Sequence, residues 1–508
     1  MSGRGAARIA VVGAGWAGLG CARLLSDAGC AIEVFDAAPQ AGGRARGTRV
    51  PLAGTRVGVD NGQHLLIGAY TAVRRLLGLY AVPGGHCLQP AAFRICGAKA
   101  EMIGLAQHAW LEARLGRWSA SSSSSSSGTS PQTRILIALR RISWILGSRR
   151  LPWAWVFGLR KLLEAALVRP PFPGQTLADQ AAVLKLDPAM QRGFLAALAE
   201  SALNASPAQA CAARFALVLR EAFGGLSPDS AYFLCANDDL SSLLPEALIR
   251  GGPKGSKPLN ICYRTRIAHL RASGPDALTL GLQGPRQWWL KAQHSPEYFG
   301  PFDAVVLALD PQSLSRLARD SLMVQSKAEG LQADSSGHPL HTLASAVERL
   351  PKACGIFTRW LALPRAAFAQ PVLALPKALP TALPLPLSKS RHSESAWIFP
   401  RPGSRSYALA GLVVSAVDTR DQAAAIADRA IADLGLEVVD SFDIYERQAA
   451  TPSFAGLEWP RFDLCSKDRL WLAGDWVGDG SDEALPATLE SAARSAFAVA
   501  RALQPAKS

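Results

Sequence analysis

The stretch RIAVVGAGWAGLGCARLL near the N-terminus constrains this chain more than any other. Residues 8 to 12, RIAVV, form a β-branched run suited to a buried strand. A helix-like apolar pattern follows to about Leu25, and after AGC a second strand-like run, AIEVFD, begins. Strand, helix and strand in that order make a β-α-β unit. Its Gly13, Gly15 and Gly18 have the G-x-G-x-x-G spacing: one glycine for the tight turn, one to admit a pyrophosphate close to the backbone, one for packing helix on strand. The helix N-terminus offers N–H groups and a positive dipole end to phosphates. Asp36 closes the second strand about 20 residues into the unit, where an acid accepts hydrogen bonds from an adenosine ribose. The glycines alone are a weak signal; the ordered set is a strong one.

Two further stretches complete a dinucleotide site. In APQAGGRARGTRV, Gly42 and Gly43 allow unusual backbone angles, and Arg44 or Arg46 can reach back to the pyrophosphate. This G-G-R resembles the second glycine motif of two-dinucleotide-binding flavoproteins, which implies FAD rather than NAD. Near the C-terminus RLWLAGDW reads as a strand ending in Gly474 and Asp475. LPATLESAARSAFAVARAL then opens a long helix through Pro486, Ala487 and Thr488. Such a strand and helix N-terminus can hold the ribityl or phosphate end of FAD and present N–H groups to the flavin ring. Mid-chain, CYRTRIAHL and FDAVVLALDP read as sheet neighbours, and in FAD folds of this kind backbone at a position like Ile267 meets the adenine.

Composition narrows the partners. With 49% hydrophobic and 19% charged residues the chain is a folded globular protein. Its net charge of +14 points to an anionic partner, nucleic acid or membrane. The aromatics sit inside apolar runs with no RNA-binding motif among them, so no nucleic-acid partner is expected. Nine cysteines, never spaced C-x-x-C, suggest neither disulfides nor a metal site, and a reducing compartment. No run reaches the ~18 apolar residues that span a bilayer, so membrane contact is expected to be peripheral. Residues 134–169 carry eight Lys/Arg, one acid and three Trp amid aliphatics, a composition suited to lying on anionic lipid.

Together these features resemble the flavin-dependent amine oxidase and phytoene desaturase superfamily. A narrower likeness lies in DNGQHLLIGAY, LNASPAQA, LREAFGG, DLSSLLPEAL, YERQAATPSF and LAGDW with LPATLESAARS, which resemble the hydroxysqualene dehydroxylases, also called squalene-associated FAD-dependent desaturases. That resemblance implies FAD-dependent reduction of hydroxysqualene to squalene in bacterial hopanoid synthesis, at the inner face of the cytoplasmic membrane, with squalene-pathway synthases as partners. It places Gly62 and His64 at the border of cofactor and substrate. His64 is the candidate proton donor to the departing hydroxyl, directly or through water, or else a hydrogen-bonding group that transfers no proton. Phe215, Phe223, Tyr232, Phe233 and Trp397 are candidate walls of an apolar pocket for the carbocation that loss of the hydroxyl would leave.

The expected architecture is α/β: a Rossmann-type FAD-binding domain from residues 6–80, 236–325 and 463–508, interleaved with an α+β substrate domain from 81–235 and 326–462. Two inserts stand apart, the Ser-rich loop 119–130 and the Pro/Leu-rich 371–394. The family likeness leads one to expect an acid beside Phe399 and Arg401, where this chain has Pro400. Two other readings stay open: an oxidative desaturase of carotenoid type, and a non-catalytic FAD-containing lipid-binding subunit.

Overall fold

The computed structural model describes residues 6–64, 66–80, 88–91, 135, 138, 153–222, 233–236, 239–252, 256–272, 287–329, 338–365, 382–384, 395–401, 406–481 and 484–504. Five strands form a parallel sheet in the order Leu470–Leu472, Ala304–Leu307, Arg8–Val12, Ala31–Phe35, Ile261–Cys262. The central RIAVV strand is buried from Ile9 to Val12, as a parallel strand covered on both faces must be. Ile9 and Val11 pack under the helices Trp16–Asp27 and Leu489–Leu503. Ala10 and Val12 face the opposite core, with side chains from Pro311–Glu329 and Pro339–Glu348. The Rossmann-like α/β layer is the one the sequence predicts.

One expectation about this layer is corrected. Ile267–Ala272 does not neighbour Ala304–Leu307; it pairs antiparallel with Trp288–Ala292, which pairs in turn with Tyr298–Phe302 in a separate three-stranded sheet. Only Ile261–Cys262 from that stretch joins the parallel sheet. The clue was QWWLKA, where Trp288 and Leu290 alternate inward, a two-residue period lost beside the polar segment before it. The expected boundary at 326 lies within helix Pro311–Glu329. Helix Pro339–Glu348 shares the core beneath the parallel sheet, so the chain leaves this layer near residue 350.

The second layer is an antiparallel sheet in the order Ala382–Pro384, Ser395–Arg401, Tyr407–Val417, Cys354–Pro364, Asp440–Ala450. Strand alternation sorts its side chains. Ala396 and Ile398 turn to a core shared with helix Arg420–Asp433. Trp397 and Phe399 turn to the other face, against helices between Trp153–Leu167 and Ala212–Ala222. Of the 371–394 insert, the described residues Ala382–Pro384 form a short strand at the sheet's edge. The 119–130 loop, Phe223 and Tyr232 lie outside the described residues.

Candidate active site

The two glycine motifs fold onto each other. A Cβ on Gly13, whose φ is +110°, would sit 2.2 Å from the Ala308 carbonyl oxygen, and one on Gly18 would sit 1.9 Å from that of Gly13. Both are glycine because the backbone leaves no room. Gly15 differs: an added Cβ would meet only the Gly43 Cα, at an ordinary 3.8 Å. The fold itself does not require glycine there. What the bare backbone leaves open is the space before a helix N-terminus, a cradle suited to a dinucleotide phosphate. Gly43, with φ +62°, closes over this turn, and the Gly42 N–H donates to the Ala14 carbonyl at 2.8 Å. Asp36 accepts from the N–H groups of Ala14 (2.6 Å) and Ala38 (2.7 Å), which fixes its carboxylate at the sheet edge with lone pairs to spare. Ile267 starts its strand two residues after Thr265, whose N–H donates to the Asp36 carbonyl at 2.8 Å.

The far end of the chain meets this cradle. Arg44 donates to an Asp475 carboxylate oxygen at 2.5 Å and to the Ala449 carbonyl at 3.2 Å. The sequence offers Arg44 or Arg46 to a pyrophosphate; Arg44 pairs with Asp475, with N–H donors left over, and Arg46 donates to the Gly43 carbonyl at 2.8 Å. The Gly474 N–H donates to the Ser495 hydroxyl at 3.0 Å. Thr488 caps Leu489–Leu503 in a capping box with Ser491, whose hydroxyl donates to the Pro486 carbonyl at 2.8 Å. The segment through Pro486, Ala487 and Thr488 is therefore rigidly held beside Gly474.

Each polar residue of DNGQH has a partner. Asp60 is fully buried; its carboxylate accepts from the Leu240 N–H (2.7 Å) and from Arg401 (3.0 Å). Burial pushes the Asp60 carboxyl up to about 6, against the pull of Arg401 and the Leu240 N–H. Asn61 donates to Glu446 at 3.0 Å. The Gln63 oxygen accepts from Arg401 at 3.4 Å, and its amide nitrogen donates to the His64 carbonyl at 2.9 Å. Gly62 and Gln63 lie over Thr358, whose hydroxyl accepts from the Gln63 N–H at 3.3 Å. His64 faces Arg44: burial first, then that guanidinium, lowers the imidazole from the ordinary 6.5 to about 4, against a hydrogen bond with Arg44 backbone. The ring is neutral at pH 7. A neutral ring can hydrogen-bond, and it donates a proton only after taking one up.

An apolar layer begins where the polar row ends. Trp397, Phe399 and Arg401 alternate onto one face of their strand, and Arg401 holds Asp60 and Gln63. Trp397 and Phe399 stack with centroids 6.5 Å apart, and both share a buried cluster with Phe215. Two of the expected pocket residues, Phe215 and Trp397, thus belong to one buried cluster. Phe233 opens strand Phe233–Ala236, which pairs with Leu66–Ile67 directly after that row.

Sequence reasoning missed Arg401 and Arg214. Each is a lone arginine in an apolar run, WIFPR and AARFALVL, and that isolation was the available signal. Arg214 is buried over the Trp459 ring at 4.3 Å and donates to the Leu457 carbonyl at 2.7 Å; its other terminal nitrogen finds no hydrogen-bond partner among the described residues. Burial lowers it to about 10. Trp459 in turn donates to the Leu485 carbonyl at 3.0 Å, next to Pro486.

A family model described as an NAD(P)-binding Rossmann-like domain matches residues 11–78. Among curated proteins no sequence matches. Solved structures align over nearly the whole chain. Cyclohexylamine oxidase from Brevibacterium oxydans is 12% identical with a TM-score of 0.57, over 98% of this chain and 100% of that one. An oxidoreductase from Methanosarcina mazei is 14% identical with a TM-score of 0.60, over 97% and 100%. Putrescine oxidase with bound putrescine is 13% identical with a TM-score of 0.57, over 98% of each chain. The chain has the fold of the flavin amine oxidases.

Within this oxidase fold three outcomes follow. Gly18→Ala should cost on the order of 3 kcal/mol by denaturant unfolding, because backbone must move; Gly15→Ala should unfold like the parent yet lose most dinucleotide binding in a fluorescence titration. Arg401→Met should cost about 3–5 kcal/mol by leaving a buried carboxylate unpaired, and Asp60→Asn added to it should restore part of that loss. The third concerns His64. Its folded pKa lies below its unfolded one, so the unfolded chain takes the proton first and stability falls as pH drops from about 6.5 toward about 4. His64→Gln should flatten that fall in urea midpoints measured across the window.

Proposed function

We propose that the protein is an FAD-dependent oxidoreductase that reductively removes the hydroxyl of hydroxysqualene to give squalene. The observation that carries the reading is the junction just described. An apolar layer of Phe215, Trp397 and Phe399 ends at Gly62, Gln63 and His64, and those residues adjoin the dinucleotide cradle of Gly15, Gly43 and Arg44. FAD fits that cradle; Asp36 and Ile267 would hold its adenosine end, Arg44 and Asp475 its middle, and Pro486 to Thr488 its ring, where the reduced flavin supplies a hydride. For the dehydroxylation, the C–O bond breaks, the hydroxyl leaves as water after gaining one proton taken from solvent, and the hydride from the reduced flavin arrives at the same carbon. Aromatic walls stabilise positive charge on that carbon and exclude water that would trap it. A neutral His64 orients the hydroxyl without supplying the proton.

The surface supports a lipid substrate. Phe157 (58% exposed) and Phe172 (65%) project beside exposed Arg160, Lys161 and Arg169 at and just beyond helix Trp153–Leu167, a combination that suits peripheral contact with an anionic membrane. Among the described residues no helix is long and apolar enough to cross a membrane.

A second reading is oxidative desaturation of a carotenoid-type isoprenoid, which the same dinucleotide cradle and apolar layer would serve. An anaerobic single turnover separates the two. With FAD reduced, hydroxysqualene should reoxidise the flavin and yield one squalene per flavin. Persistent reduced flavin, with bleaching of the oxidised form by an isoprenoid hydrocarbon, would replace dehydroxylation with desaturation.

A further inference from the structure

A cavity of about 410 Å³ lies away from the cradle, between helices Thr71–Tyr80 and Leu489–Leu503. Arg494, Phe497 and Arg501 share one stripe of the C-terminal helix, at helical spacing, and Arg75 faces them from the other helix. The opposite stripe of the C-terminal helix, including Ala492, Ala496 and Val499, is buried against the Rossmann core. The cavity thus opens on the face of that helix turned away from the Rossmann core, and its lining shares no residue with the dinucleotide cradle.

Two of its arginines are held in place. The Arg75 guanidinium lies over the Phe497 ring at 4.6 Å. Arg494 donates to Glu490 at 2.9 Å, and buried Glu490 also accepts from the N–H groups of Ala72 and Val73, so one carboxylate fixes both helices and one guanidinium. Asp479, at the cavity's rim, accepts from the Ser481 N–H and hydroxyl in its own loop. Among the described residues, neither Arg75 nor Arg501 has a carboxylate partner.

We propose that this cavity binds the phosphate of an organic phosphoester. Guanidinium forks approaching from two helices suit a multiply charged oxyanion, whose oxygens accept from several directions. The volume falls within the range of small-molecule sites and leaves room for an organic part, with Phe497 as an aromatic wall. The inference rests on this cavity alone and stands whether or not the hydroxysqualene reading holds.

The test uses FAD-loaded protein and three probes: glycerol 3-phosphate and NADPH by calorimetric titration, and phosphatidylglycerol vesicles by cosedimentation. The parent should bind at least one probe saturably, and Arg75→Ala/Arg501→Ala should weaken that binding by about tenfold or more. Arg49→Ala/Arg56→Ala, which removes two exposed charges elsewhere, should leave it unchanged. Loss confined to vesicles assigns the phosphate to lipid, and loss confined to a soluble probe assigns it to a soluble phosphoester. Absence of saturable binding, equal binding by parent and cavity variant, or equal loss in both double variants would overturn the proposal.

Discussion

A carboxylate with no solvent exposure faces a buried guanidinium at the seam of this protein: Asp60 against Arg401, at 3.0 Å. Asp60 ends a strand that belongs with the glycine motifs, and Arg401 ends a strand of the antiparallel sheet. Taking both charges out of water is expensive, and the contact persists only because each has further partners: the Leu240 N–H on Asp60, the Gln63 oxygen and the Trp360 ring near Arg401. Such a pair adds little to stability against an apolar substitute. It does fix the register of two layers, because no shifted packing would satisfy both charges. The loop through Gly62 and His64 is held where it is by that requirement.

A second ion pair performs a similar task for the chain ends. Arg44 and Asp475 are 431 residues apart in sequence, yet they bring the G-G-R and G-D motifs into contact. The cradle is consequently assembled from both termini, and neither half of the site is complete without the other.

What the sequence revealed follows from range. The β-α-β unit, its three glycines and the capped C-terminal helix were legible because their physics is local: strand run, tight turn, helix start. Asp60 was visible as a polar residue in an apolar context, but its partner lies 341 residues away, and Arg401 carried no sign except its isolation in WIFPR. Ile267–Ala272 was recognised as a strand and given the wrong neighbour, since alternation reveals a face and says nothing of pairing. Helix Pro339–Glu348, whose buried side joins the core beneath the parallel sheet, gave no sign of its layer in the sequence, because a pattern that shows one side is buried does not name what buries it.

The direction of electron flow is not written in such a fold, since one geometry serves hydride donation and hydride removal alike. Proton traffic distinguishes them, and here the electrostatics of His64 bear on the argument. Lowered to about 4, the ring is a poor store of protons and a weak base. Neither direction then rests on His64 as the sole proton carrier. Under the proposed reductive loss of a hydroxyl, charge development at carbon would be the step most in need of help, and that role would fall to Phe215, Trp397 and Phe399, which share one buried cluster. Asp60, Asn61 and Gln63 are each bonded to protein, so the polar row is held by the fold before any substrate arrives.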